Sequence, residues 1–228
     1  MTAIAANLQA VRTRIATAER ESGRTPSSVR LLAVSKTKPA GAVREAHAAG
    51  QRAFAENYVQ EGVDKVQALR DLRVEWHFIG PIQSNKTRAV AAHFDWVHTV
   101  EREKIAQRLS EQRGRDLAPL QICLQVNVSG ETSKSGVAPA ELPALVKAVA
   151  QLPQLHLRGL MCIPEPTDDI VLQRARFAQL RGLLETLNAK LGLGMDTLSM
   201  GMSDDLETAI AEGATMVRIG TAIFGARA

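Results

Sequence analysis

The 228-residue sequence has only two cysteines, few aromatic residues and no long apolar run. Cys123 and Cys162 both lie inside apolar segments, which is typical of small buried hydrophobic residues and not of a disulfide framework or a metal site. No stretch approaches the length of a membrane span, and the N-terminus lacks the apolar region of a secretory signal. These absences exclude a disulfide-rich secreted protein and a membrane protein, and they favour a cytoplasmic location.

The sequence also lacks a cluster of charges of one sign. It has 28 basic and 24 acidic residues, a net charge of +4, and these charges are scattered along the chain. Without a basic run interleaved with aromatic residues, nucleic-acid binding is disfavoured. A small excess of positive charge suits a small anionic ligand equally well. The apolar content of 45% is near the globular average and supplies a sizeable core.

Short β-prone segments alternate with amphipathic helical segments along the whole chain. Eight strands are predicted at 30–36, 53–57, 75–79, 95–100, 120–128, 156–163, 196–200 and 215–219. Strict βα alternation indicates a parallel sheet, and eight units predict an α/β fold, a (β/α)8 TIM barrel forming a single domain over residues 1–228. An open doubly wound sheet fits less well because no Gly-x-Gly-x-x-Gly follows the first strand. Since only nine residues follow the last strand, the N-terminal helix should cover that seam.

Lys36 ends the first predicted strand, and it is the residue around which a site could form. Active sites of such barrels lie at the carboxyl ends of the strands. A lysine at the edge of a core can lose hydration, which lowers its pKa and allows its amine to attack carbonyl groups. A lysine considered alone is more often exposed. The other strand ends therefore decide its interpretation.

The ends of strands seven and eight predict a phosphate site. Gly201 and Gly220 let the backbone approach a ligand closely, and Ser203 and Thr221 supply hydroxyl groups. Amides at the first turn of a following helix can point at an anion, and barrels of this type commonly bind phosphate here. Taken singly, Ser203 could be only a helix N-cap and Gly220 only a turn glycine.

A lysine opposite a phosphate site suggests a phosphorylated carbonyl compound held as a Schiff base. Pyridoxal 5′-phosphate (PLP) is one such compound, and the phosphorylated sugar of an aldolase is another. Arg218 should point into the barrel mouth. Beside a pyridine nitrogen, an arginine that only donates would keep the ring unprotonated and weaken it as an electron sink, whereas most PLP enzymes use an acid there.

Seven segments, in order, carry a more specific signal. They are AVSKTKP at 33–39, ENY at 56–58, WHFIGPIQSNK at 76–86, SKSG at 133–136, GLM at 159–161, SMGMSDD at 199–205 and RIGT at 218–221. Together they resemble the YggS-like pyridoxal phosphate homeostasis proteins, which are single-domain relatives of the barrel half of alanine racemase. The resemblance implies the alanine racemase N-terminal-domain type of barrel.

The resemblance also implies a PLP site without a metal. Its cofactor-binding residues would be Lys36 (aldimine), Asn57, His77, Met161, Met200, Ser203, Arg218, Gly220 and Thr221. Proteins of this family hold PLP and deliver it to other enzymes, so apo PLP-dependent enzymes are expected partners. They influence amino-acid and keto-acid balance, and no catalytic residue or turnover is implied. Lys134 could assist cofactor exchange, although a solvated loop lysine is at least as common.

Two enzymatic alternatives remain open. A PLP-dependent amino-acid racemase or lyase would need a second base opposite Lys36, which racemases of this fold take from a tyrosine on an additional C-terminal domain. The sequence has one tyrosine, Tyr58, and ends seven residues after Thr221, so we expect a non-enzyme and a monomer. His77 could act as a base, but a histidine on a buried strand is more often a core residue. A Schiff-base aldolase acting on a sugar phosphate is the other alternative.

Overall fold

The computed structural model describes residues 2–130 and 135–226. Eight parallel strands close into a barrel in chain order. They are β1 (Arg30–Val34), β2 (Ala53–Glu56), β3 (Glu75–Phe78), β4 (Trp96–Val100), β5 (Leu120–Gln125), β6 (Leu155–Met161), β7 (Thr197–Ser199) and β8 (Met216–Ile219). The helices are α1 (Ala3–Glu21), α2 (Ala40–Ala48), α3 (Val59–Ala68), α4 (Thr87–His93), α5 (Glu103–Gln112), α6 (Leu142–Val149), α7 (Ile170–Leu191), α8 (Leu206–Ala211) and α9 (Thr221–Phe224). The predicted (β/α)8 TIM barrel is confirmed.

The core has an outer and an inner layer because strand side chains alternate between the two faces of the sheet. The outer layer lies between strands and helices and contains fully buried phenylalanines such as Phe54 and Phe177, each contributing roughly 1.5–3 kcal/mol by burial. The barrel interior holds smaller apolar clusters, one of which includes Leu32 and Val34. Successive inward positions of one strand therefore lie at different depths in the barrel.

The seam beside β8 is covered as expected. Helix α9 is a single turn, and α1 packs against both α8 and α9. The Asn7 side chain donates to the carbonyl of Ile223 at 3.0 Å, and Arg14 forms an ion pair with Glu207 at 2.8 Å. Helix α1 itself is capped by Thr2, whose hydroxyl accepts from the Ala5 amide. The N-terminal helix thus closes the ring of helices.

Two helices begin a few residues after a serine in the loop that precedes them. Helix α8 begins at Leu206, and in the loop before it the Asp205 carboxylate accepts from the Met202 amide and holds a turn. Helix α4 begins at Thr87, whose hydroxyl donates to the Ser84 carbonyl at 2.9 Å. Ser203 is therefore not a helix N-cap. It stays in the loop after β7.

Across the described ranges 2–130 and 135–226, no helix combines the length and apolar character that a bilayer crossing needs. In that same part of the chain, no group of three or more histidine, cysteine, aspartate or glutamate side chains is arranged to hold a metal ion.

Candidate functional site

A cavity of about 530 Å³ opens at the carboxyl ends of the strands. Its wall contains six members of the predicted cofactor set: Lys36, Asn57, Ser203, Arg218, Gly220 and Thr221. These residues come from the ends of four strands and from the loops that follow them, so chain segments up to 185 positions apart in the sequence meet here. The sequence-based placement of a site at this end of the barrel agrees with the cavity.

Lys36 is positioned by a tight turn directly after β1. The Lys38 amide donates to the Ser35 carbonyl at 3.1 Å, and Thr37 adopts the left-handed conformation with φ of 62°. The Thr37 amide is held by the Glu61 carboxylate at 2.6 Å. A non-glycine residue in this conformation is uncommon and persists only where its surroundings hold it. The half-buried Lys36 therefore sits on a restrained turn.

A buried ionic cluster supports this turn from outside the barrel. We call Ser35, Glu56, Glu61 and Lys65 the Lys65 cluster. Lys65 Nζ donates to the Ser35 carbonyl at 2.6 Å, to Glu56 Oε1 at 2.8 Å and to Glu61 Oε1 at 2.6 Å, and the Ser35 hydroxyl donates to Glu56 at 2.6 Å. Burial raises the pKa of Glu56, and the charge of Lys65 offsets part of this rise. Ser35 and Glu56 immediately precede Lys36 and Asn57 in the sequence, so the cluster anchors both strand ends.

Asn57 presents an unused acceptor at the cavity. Its Oδ1 atom is buried and meets no hydrogen-bond partner within residues 2–130 and 135–226. The backbone of Asn57 is packed closely against Gly80, where an added Cβ would lie only 1.9 Å from the Asn57 carbonyl oxygen. A buried polar atom without a partner costs about 1–3 kcal/mol. Asn57 is thus suited to accept a hydrogen bond from a ligand.

The wall of the cavity formed by Ser203, Gly220 and Thr221 has the features of an anion site. Gly220 approaches β1 so closely that an added Cβ would lie 3.2 Å from the Val34 carbonyl oxygen. Thr221 begins α9, and the first amides of a helix have no acceptor within the helix. Arg14 also lines this wall and donates to the Ser203 carbonyl at 3.0 Å. These groups place hydroxyls, amides and a guanidinium around one space.

Arg14 is absent from the sequence-based set. Arg14 lies on α1, 189 residues from Ser203 in the sequence. The helical periodicity of α1 indicates only that Arg14 is next to the apolar face of that helix. The expectation that α1 covers the barrel seam was the one available signal, because a residue on that helix can then reach the loop after β7.

Arg218 reaches the cavity from inside the barrel. Its guanidinium donates to the Ser199 hydroxyl and to the Cys162 carbonyl, each at 2.9 Å. Burial lowers the pKa of Arg218, but an arginine keeps its charge in proteins. The side chain is therefore a fixed cation and a fixed donor at the floor of the cavity.

His77, Met161 and Met200 do not line this cavity. All three are fully buried. Ile79, the next inward position after His77 on the same segment, forms the cavity wall instead, so His77 lies one layer deeper. Lys134, for which an exchange role was considered, lies outside the described residues.

Several known proteins are similar to this chain. The family model described as "Alanine racemase, N-terminal domain" matches residues 3–228. A pyridoxal phosphate homeostasis protein of Pseudomonas aeruginosa is 66% identical over 227 residues, which cover 100% of this chain and 97% of the relative. The protein of the same name from Escherichia coli K12 is 56% identical over 230 residues, covering 100% of this chain and 98% of the relative.

A solved structure is also similar to this chain. Synechococcus elongatus PipY with PLP bound has 42% identity and a TM-score of 0.86, and the match covers 97% of this chain and 100% of that chain. These matches confirm the resemblance carried by the seven segments. The chain belongs to the alanine racemase N-terminal domain family and, within it, to the pyridoxal phosphate homeostasis proteins.

Proposed function

We propose that this protein binds PLP in the cavity at the carboxyl ends of the strands and holds it for supply to other enzymes. The observation that carries the proposal is the meeting of Lys36, Arg218 and the Gly220–Thr221 turn in one cavity. An amine, a fixed cation and an anion site correspond to the aldehyde, the ring nitrogen and the phosphate of PLP. The relatives described above are pyridoxal phosphate homeostasis proteins, and PipY has been solved with PLP bound; both observations support this assignment.

The residues present fit this cofactor. Lys36 would be the point of covalent attachment, and Ser203, Gly220 and Thr221 would hold the phosphate. Arg218 would face the pyridine nitrogen, and the unpaired Oδ1 of Asn57 would accept a hydrogen bond from the ligand. PLP supplies an electrophilic aldehyde on an electron-withdrawing ring. By donating to the ring nitrogen, Arg218 would keep that nitrogen unprotonated and so limit the electron-withdrawing power.

We propose a carrier and not a catalyst. The described residues that line the cavity include neither a histidine nor a tyrosine. Histidine is the side chain whose ordinary pKa lies nearest neutral pH, and tyrosine is the second base named above for racemases of this fold. A racemase or lyase would need such a group opposite Lys36. Apo PLP-dependent enzymes as recipients, a monomeric state and a cytoplasmic location stay predictions.

Covalent attachment can be tested by borohydride reduction followed by peptide mapping. Borohydride converts a reversible lysine–aldehyde linkage into a stable secondary amine. We expect the pyridoxyl group on Lys36 and its loss in Lys36→Ala. Lys38→Ala is the matched control, because Lys38 is two residues away and its ammonium is bonded to the Ala226 carbonyl at 2.7 Å. An unchanged covalent adduct and unchanged affinity in Lys36→Ala would disprove the assignment.

Delivery can be tested with an apo PLP-dependent enzyme as acceptor. The recovery of its activity should be faster with the loaded protein than the spontaneous release of PLP into buffer allows. Recovery that is no faster than spontaneous release would argue against a carrier. Incubation with amino acids in deuterated water tests the alternative, because a racemase or lyase would exchange the α-hydrogen.

A further inference from the structure

A chain of hydrogen bonds runs through the barrel interior and ends at Arg218. We call Glu75, His77, His98, Ser199 and Arg218 the interior column. Glu75 Oε1 lies 2.5 Å from His77 Nε2, and His77 Nδ1 lies 2.9 Å from His98 Nε2. His98 Nδ1 lies 2.8 Å from the Ser199 hydroxyl, which lies 2.9 Å from Arg218 Nη1. His77, His98 and Ser199 are fully buried.

The donors and acceptors of the column all point in one direction. An ionised Glu75 can only accept, so His77 carries its proton on Nε2 and donates to the Glu75 carboxylate. A neutral His77 then accepts on Nδ1 from His98, which carries its proton on Nε2. His98 Nδ1 in turn accepts from the Ser199 hydroxyl, and the oxygen of that hydroxyl accepts from Arg218, which can only donate. Each group in this series is satisfied without a charged imidazole.

The opposite direction would need a protonated Glu75 or a charged histidine in the core. Burial alone raises the pKa of Glu75, but the hydrogen bond from His77 and the ion pair with Arg30 outweigh it and lower the pKa to about 2. Burial lowers the pKa of His77, and burial followed by the neighbouring His77 and Arg218 lowers that of His98 well below its ordinary value. Glu75 therefore stays ionised and both imidazoles stay neutral at neutral pH.

The surroundings of the column hold the imidazoles in place. Trp96 stacks on His77 with 5.3 Å between the ring centroids, and the Arg158 guanidinium lies 5.0 Å from the centroid of the Trp96 ring. At the far end, Arg30 pairs with Glu75 at 2.8 Å, and the Glu75 side chain is 32% exposed. The column thus links the amino-end face of the barrel to the floor of the cofactor cavity.

We propose that Glu75, His77, His98 and Ser199 are positioning residues for Arg218 and, through it, for the pyridine nitrogen of PLP. The inference rests on the proposed function. If His98 adopted the other tautomer, its Nε2 would accept from His77 Nδ1, and the unprotonated Nε2 of His77 would face the acceptor-only carboxylate of Glu75. The fixed direction therefore places the Ser199 hydrogen on His98 Nδ1 and leaves the Ser199 oxygen to accept from Arg218. A substitution of Glu75 at the amino-end face should therefore change the binding of PLP in the cavity.

The first test measures the histidine tautomers by nitrogen-15 NMR on the protein without added PLP. We expect both His77 and His98 to be neutral and protonated on Nε2 only at about pH 8. A proton on Nδ1 of either neutral imidazole would overturn the proposed direction. This measurement does not depend on cofactor binding.

The second test compares two buried hydroxyls. Ser199→Ala removes the link between His98 and Arg218, and Ser110→Ala is the matched control because that hydroxyl accepts from the Gln154 amide on the outer side of the barrel. Losing one buried hydrogen bond corresponds to about a tenfold change in an equilibrium constant. We expect Ser199→Ala to release PLP about tenfold faster and Ser110→Ala to release it less than about twofold faster.

The third test acts at the far end of the column. Glu75→Ala should also accelerate PLP release, by a smaller factor of about threefold, because it removes the acceptor of His77. Asp71→Ala is the control, since Asp71 lies in the loop that precedes β3 and its ion-pair partner at 2.6 Å is Arg44, which is not a member of the column. If the wild-type protein binds PLP but each variant releases PLP at the same rate as its control, the positioning role of the column is wrong and the proposed function still stands. A wild-type protein that binds no PLP overturns the proposed function as well.

Discussion

The interior column and the Lys65 cluster stabilise the same cavity in different ways. The column lies inside the barrel and joins its members in series, with two neutral imidazoles between a carboxylate and a guanidinium. The cluster lies outside the strands, where Ser35, Glu56 and Glu61 all converge on one buried ammonium. The column ends at Arg218, and the cluster holds the turn that carries Lys36.

This difference determines what is lost when one member is removed. In the cluster, removing Lys65 leaves the carboxylate of Glu56 buried without its cation, and breaking a buried ion pair in this way is strongly destabilising. In the column, removing one neutral member leaves a dipole without a partner, which costs less. The cluster should therefore matter mainly for folding, and the column mainly for the cofactor.

The largest expected effect is that of Lys65→Met. We expect the free energy of unfolding to fall by about 3–5 kcal/mol. The side chains of Lys65 and Glu56 are only 6% and 0% exposed, so water cannot take the place of the lost ammonium beside the Glu56 carboxylate. Denaturant titration measures this loss. Adding Glu56→Gln should restore part of the stability by removing the buried charge.

Lys147→Met provides the control for this prediction. Lys147 lies on the exposed side of α6, so its substitution should leave the unfolding midpoint almost unchanged. A loss of less than about 1 kcal/mol in Lys65→Met would mean that the cluster does not carry the stability assigned to it.

The sequence was sufficient to place the strand ends and therefore most of the cavity wall. Alternation of β-prone and helical segments is a local pattern, and the barrel follows from counting the units. Lys36 and Arg218 could be named because each lies at or near a strand end, where a barrel of this fold collects its site, whereas Asn57 and His77 were named from the resemblance. Depth within the barrel was not readable from the sequence: Ile79 lines the cavity, and His77 on the same segment lies one layer deeper.

The missed features depend on contacts between distant segments. His98 had no partner identifiable from the sequence, since its two hydrogen-bonded neighbours are 21 and 101 residues away. Lys65 lies between the apolar residues Val63 and Val66 of α3, and nothing in that periodicity indicates a buried ammonium. Its role becomes clear only when β1, β2 and α3 are brought together.

A matched pair of serine substitutions compares the two regions directly, with a loss of stability smaller than that of Lys65→Met. Ser35→Ala and Ser199→Ala each remove a hydroxyl bonded to a charged group, so each should cost about 1.5–3 kcal/mol of unfolding free energy. Only Ser199→Ala should release PLP faster, because Lys65 and Glu61 still hold the Lys36 turn in Ser35→Ala. If only Ser35→Ala released PLP faster, the Lys65 cluster and not the interior column would be the region that controls cofactor binding.

The pH dependence of stability tests the charged end of the column. The folded pKa of Glu75, about 2, lies below the ordinary value of 4.5, so its stabilising effect is complete above about pH 4.5 and is lost as the pH falls toward 2. Solvent screening of the partly exposed side chain limits this effect to roughly 1–2 kcal/mol. Unfolding free energies of wild type should therefore fall more steeply than those of Glu75→Gln between pH 5 and pH 2. Parallel curves would show that Glu75 is not held as an ionised acceptor.

The smallest expected effect on stability is that of Arg14→Ala at the cavity rim. The Arg14 and Glu207 side chains are 39% and 49% exposed, and an ion pair between exposed groups contributes less than about 1 kcal/mol. Its effect on the cofactor should be larger, because Arg14 lines the anion wall and holds the Ser203 carbonyl. We expect PLP affinity to fall about three- to tenfold, as loss of one charge-assisted contact predicts. Arg44→Ala is the control, since it removes an exposed ion pair with Asp71 that lies outside the cavity wall, and equal PLP affinities in the two variants would remove Arg14 from the site.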